Sequence, residues 1–127
     1  MISPQIGIDP ALKALWPEAH LACLTWRTLP APENPALWSF FTQEILPGLN
    51  ATLQDTPLAE LPNLGASRRA YKAFGRDPGR TRVSSEALYR RIRQGKDLYR
   101  INSVVDVNNI VSLETGFSLG SYDMDHL

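Results

Sequence analysis

Eleven lysines and arginines fall within residues 65–100 of this 127-residue chain, against three acids, a net charge of +8 over that stretch. They are Arg68, Arg69, Lys72, Arg76, Arg80, Arg82, Arg90, Arg91, Arg93, Lys96 and Arg100. Residues 1–64 carry −4 and residues 101–127 another −4, so the formal charge of zero hides a basic middle between acidic flanks. A block of one sign suits contact with a polyanion, because neutralising phosphates releases their counterions. Tyr71, Phe74 and Tyr89 interleave with the cations and offer faces on which bases stack, or pack inside. The rival readings are a solvated helix surface and neutralisation within the chain by Asp106, Asp123 and Asp125.

A second group is amidic. Asn102, Asn108 and Asn109 bring donors and acceptors suited to orienting a ribose or an aminoacyl group. Helix capping at Asn102 and polar packing at the other two account for them equally well. Asp123 and Asp125 have a metal-like spacing, but such a pair more often makes a turn. Ser84 and Ser85 have no nearby histidine and no elbow motif, which makes them helix caps before nucleophiles. With one cysteine, Cys23, and two distant histidines, His20 and His126, no zinc spacing can be written, and no metal or cofactor is expected. Cys23 is expected to be a small buried hydrophobe, in a reducing, cytoplasmic setting. No apolar run reaches membrane-span length, and Met-Ile-Ser-Pro-Gln at the start lacks the basic and apolar regions of a signal peptide.

The elements that must position these groups are mostly helical. Apolar content of 43% over this length supports one domain, residues 1–127, with its own core. Asp9-Pro10 starts a short helix that Pro17 stops. His20–Thr28, with roughly alternating apolar residues and Trp26, reads as a strand. Asn34-Pro35 opens a second helix, interrupted at Pro47-Gly48 and followed by a polar stretch with scattered leucines to Leu64. Ser67–Phe74 is a helix capped by Gly75, Asp77-Pro78-Gly79 a turn, and Ser84 or Ser85 caps the next helix, with Glu86 in its first turn where the dipole favours an anion. From Ile101 the apolar spacing and the length predict a helix that Gly116 stops.

Several motifs then run in order: Arg69-Ala-Tyr-Lys-Ala-Phe-Gly75, Asp77-Pro78, Arg82, Ser84, Ser85–Ile92, Ile101–Asn109, Leu113-Glu-Thr-Gly116 and Tyr122–Asp125. This order resembles the B3/B4 domain of the phenylalanyl-tRNA synthetase β chain and smaller stand-alone proteins of that superfamily, with residues 65–127 bearing the motifs and 1–64 matching loosely. The resemblance implies an α+β fold, helices packed on a mixed β-sheet. It also implies that the aminoacylated end of a tRNA enters a pocket, with Asn109 on the family's pocket asparagine, Asn108 on its neighbouring threonine, and Asp106 and Glu114 as structural acids. Gly120 stands where the editing enzymes carry a histidine, and Tyr99 aligns with an arginine of their site. The pattern continues in that family beyond the position of Leu127, so an incomplete B3/B4-like domain is expected, completed by a second chain or an oligomer.

The functional expectation is therefore an RNA-binding module, contacting tRNA or other RNA through the basic middle, with Asn102, Asn108, Asn109 and Gly120 at a pocket. The alternatives are an aminoacyl-tRNA deacylase acting in trans when complete, and a protein-interaction or small-ligand domain that kept only the fold.

Overall fold

The computed structural model describes residues 4–126, so the readings that rest on Met1–Ser3 and on the position of Leu127 lie outside it. Asp9 accepts a hydrogen bond from the Ala11 N–H (2.8 Å) and opens α1 (Pro10–Leu15), which buries no residue. Asn34 caps α2 (Pro35–Phe40) through Leu37 N–H (3.2 Å). The chain then passes through a π turn, Phe41–Ile45, directly into α3 (Leu46–Asp55). After a 3-10 turn, Leu58–Glu60, come α4 (Leu64–Ala73), α5 (Ser84–Arg93) and α6 (Ser103–Thr115). The core runs from Trp38 to Leu113 and is gathered by α2, the π turn, α3, α5 and α6, with Leu64 of α4 and Leu113 of α6 wholly buried.

The expected mixed sheet is not there: no strand occurs among the described residues. His20–Thr28 forms no regular secondary structure, since a lone strand has no ladder to satisfy its backbone. Its apolar residues lie out of the core, with Leu24 83% exposed and nearby Leu29 90%. Cys23 is exposed rather than buried, on a segment whose apolar residues stay out of the core.

Pro47-Gly48 does not break the second helix. Proline lacks an N–H and crowds the carbonyl four residues back, so an α-helical ladder fails there. The π turn solves this locally: the Leu46 N–H donates to Phe41 O, five residues back, and Pro47 becomes the second residue of α3. Ser84 and Ser85 are not side-chain caps either. The N-cap is Val83, and the Ser118 hydroxyl, distant in sequence, accepts from Ser85 N–H at 3.4 Å.

Gly75 follows α4 with φ 78°, and Gly116 ends α6 with φ 79°. At Gly116 even the space is restricted, since a Cβ would lie 2.2 Å from the carbonyl oxygen of Pro62. The neighbouring Asn63, held at φ 66°, donates its side-chain amide to Thr115 O (2.6 Å). The end of α6 is thereby fixed against the start of α4, where Ser67 N–H donates to Asn63 O (3.0 Å).

Candidate functional site

The basic residues divide into two sets. Arg68 of α4 and Arg90 of α5 converge on Glu86, their guanidinium nitrogens 2.7 and 3.1 Å from its Oε1. Glu86 is fully buried, whereas the two arginine side chains keep 26% and 37% of their surface. Glu86 is therefore far more than a first-turn anion answering the helix dipole. Its Oε2 and Arg90 Nε are buried without hydrogen-bond partners among the described residues, so Oε1 alone accepts from both arginines.

Arg93 donates to Leu53 O (3.2 Å) and Thr56 O (2.9 Å), satisfying carbonyls at the end of α3. Arg91 donates to Asp97 O and to the Tyr99 hydroxyl (3.3 Å), and its guanidinium lies 4.0 Å from the centre of the Tyr99 ring. Arg100 stacks on Trp38 at 4.8 Å. These five arginines are engaged within the molecule, though not with the acids expected. Asp106 is buried and accepts from Ile101 N–H (2.9 Å), and Asp123 meets His126 (2.9 Å).

Arg69, Lys72, Arg76, Arg80, Arg82 and Lys96 form the second set, and all are exposed. Among the described residues only Arg80 has an acid within range, Asp77 at 3.9 Å, in a pair open to solvent. Arg69 and Lys72 stand on α4, Arg76, Arg80 and Arg82 on the connection to α5, and Lys96 beyond α5. Lys96 also edges a cleft of about 150 Å³ whose walls include Trp38, Phe41, Asn50 and Arg100.

Of the aromatics, Tyr89 is in the core and donates its hydroxyl hydrogen to Leu113 O (2.6 Å), with burial raising its pKa. Tyr71 and Phe74 are half-buried. Tyr99, 61% exposed beneath Arg91, is the exposed aromatic within residues 65–100, and the pattern of the sequence did not single it out for stacking. Its signal was the spacing of Arg91 and Tyr99 across the Gly95 turn.

Asn102 caps α6, its Oδ1 accepting from Val104 and Val105 N–H, both at 3.0 Å. Asn108 and Asn109, adjacent on α6, point about 100° apart. The first donates to the Ser121 hydroxyl; the second is half-buried, with no side-chain hydrogen bond among the described residues. Gly120 is exposed, with Tyr122 beside it. Asn102, Asn108, Asn109 and Gly120 line neither that cleft nor the open groove of about 390 Å³ near Ile6, Lys13 and His20.

The pattern that defines the B3/4 domain family matches residues 66–127, from α4 through the end of the described chain. That segment, just under half of the chain, is similar to the B3/4 domain family. The B3/4 segment thus includes both arginine sets, Glu86 and all of α6. No curated protein and no solved structure gives a significant match to the chain. Among the described residues, no helix is long and apolar enough to cross a membrane.

Proposed function

We propose that the B3/4 segment is an RNA-binding module, with tRNA as its class of ligand. The observation that carries this reading is the second set of cations: Arg69, Lys72, Arg76, Arg80, Arg82 and Lys96 are exposed and lack close acidic partners among the described residues, the solvent-open Arg80–Asp77 pair apart. Internal neutralisation, the serious rival, accounts for Arg68 and Arg90 but leaves these six facing solvent. The resemblance to the synthetase β-chain domain supports tRNA over other polyanions. Exposed Tyr99 adds a face for an unstacked base, with Arg91 already on one side of its ring. Hydrolysis is not part of the proposal, since Asn102 and Asn108 are engaged in local hydrogen bonds and Asn109 lines neither cleft.

The test is fluorescence anisotropy of labelled tRNA titrated with the protein from low to physiological salt, with a DNA duplex of equal length as control. Binding that prefers tRNA and weakens steeply with salt is expected. No binding at low salt would discard RNA in favour of a protein or small-molecule partner.

A further inference from the structure

We infer that the cleft beside Lys96 seats one pyrimidine nucleotide presented by a bound RNA strand, its ring inside and its phosphate on Lys96. The inference rests on the RNA reading and adds to it the class of base that is taken up. The cleft lies between the start of the π turn and the Gly95–Leu98 connection. Its floor is apolar and fixed: Phe41, Ile92 and Leu98 are buried, and Trp38 meets Phe41 edge to face, ring centres 5.9 Å apart. Phe41 and Thr42 begin the π turn, a widened backbone that recurs at functional sites. The Arg100 guanidinium lies 4.8 Å from the centre of the Trp38 ring, and both residues line the cleft. The indole thus holds a flat plate in place before any ligand arrives, and unstacked bases settle on guanidinium planes as they do on aromatic rings.

Size and edge chemistry select the ring. The cleft measures about 150 Å³. A cavity of roughly 150 Å³ takes benzene, a single six-membered ring, so a pyrimidine fits where the fused rings of a purine overfill it. The apolar floor suits the flat face of a base, whereas a plain hydrocarbon ring would leave the polar walls unused. On those walls the exposed Asn50 amide offers donors and an acceptor to the carbonyl and N–H groups along a pyrimidine edge. Asp97, the acid among the lining residues, is a further acceptor for such an N–H. Lys96 is exposed, with no acid in ion-pair range among the described residues, which leaves its ammonium to the phosphate.

Trp38 lets the site be read directly. In W16F/W26F, with both changes outside the core, Trp38 is the one tryptophan left. This protein is titrated at low salt with labelled oligocytidylate, oligouridylate and oligoadenylate of equal length. Label anisotropy reports binding, and Trp38 fluorescence reports location. Both pyrimidine oligomers are expected to bind at least about tenfold tighter than oligoadenylate and to alter the Trp38 emission, which oligoadenylate leaves alone. Asn50→Ala, at an exposed position, is expected to erase the preference with an unchanged circular-dichroism spectrum. Equal binding of all three oligomers without a response from Trp38 overturns the inference and leaves the RNA reading standing. A preference that survives Asn50→Ala overturns it too. If no oligomer binds, the RNA reading falls, and 5′-CMP and 5′-UMP are titrated next. A response of Trp38 to either overturns RNA as the source of the nucleotide, and no response overturns the site as well.

Discussion

Arg68 of α4 reaches across to Glu86 of α5 at 2.7 Å, and the carboxylate it meets is fully buried. With Arg90 on the same oxygen, one acid holds two cations from two helices. Removing the acid leaves both guanidiniums without a counter-charge. Glu86→Gln is expected to destabilise the fold by about 2–3 kcal/mol in urea unfolding, below the 3–5 kcal/mol typical of a fully buried pair because both arginines reach solvent. Arg80→Gln, whose partner Asp77 is solvent-exposed, is expected to change stability by less than about 0.5 kcal/mol in the same measurement.

Tyr89 supplies the second test. Tyr89→Phe deletes the hydrogen bond to Leu113 O and leaves a buried carbonyl one partner short, with an expected destabilisation of about 1–3 kcal/mol. Burial holds the folded-state pKa of this phenol above its unfolded value of 10.0. The unfolded chain therefore releases the proton first as pH rises, so stability is intact below about pH 10 and falls above it. Alkaline unfolding followed by near-ultraviolet absorbance should show tyrosine ionisation coincident with loss of structure, and the Phe variant should lose that part of the pH dependence.

Two glycines with the same backbone angle should respond differently to alanine. Gly75→Ala meets open space and is expected to cost about 1–2 kcal/mol for the left-handed conformation alone. Gly116→Ala carries that cost and drives a methyl group into Pro62 O, adding about 1–3 kcal/mol. Thermal unfolding of both variants, side by side, separates conformation from steric clash.

The two sets of cations make opposite predictions in the salt titration. Neutralising Arg69, Lys72, Arg76 or Arg82 to Gln should lower the slope of log K against log salt by roughly 0.7–0.9 for each phosphate that the variant no longer neutralises, without changing stability. Arg93→Gln should do the reverse, leaving the slope alone while weakening the fold by about 1 kcal/mol through the uncapped end of α3.

Helix starts and stops were legible where one residue decides them. Asp9-Pro10, Asn34-Pro35, Asn102 and Gly116 act through local backbone chemistry, and each stands at the boundary its type implies. The lack of a sheet was not legible, because alternation in His20–Thr28 makes a strand only if another strand is there to pair with it. Pro47 misled for a related reason: the π turn that accommodates it leaves no mark in composition. At the candidate site, clustering of charge along the chain was readable at once. Which arginines turn inward was not, since it depends on Glu86 being carried into the gap between α4 and α5, a tertiary event.

The π turn has a consequence for how this part of the chain tolerates change. Phe41, Ile45, Leu49 and Leu53 recur at every fourth place, a spacing that drifts by about 40° per step around an ordinary α-helix. The wide turn takes up part of that drift and keeps Leu53 in the same core as Phe41. Deleting one residue between Phe41 and Ile45 would close the wide turn and put Pro47 back into an α-helical ladder that it cannot complete, so the helix would kink or break there. Leu53 would lose its seat in the core, and the carbonyls that Arg93 grips would shift away from it. Substitution here is graded, whereas deletion removes the accommodation that the proline needs and is felt as far as α5.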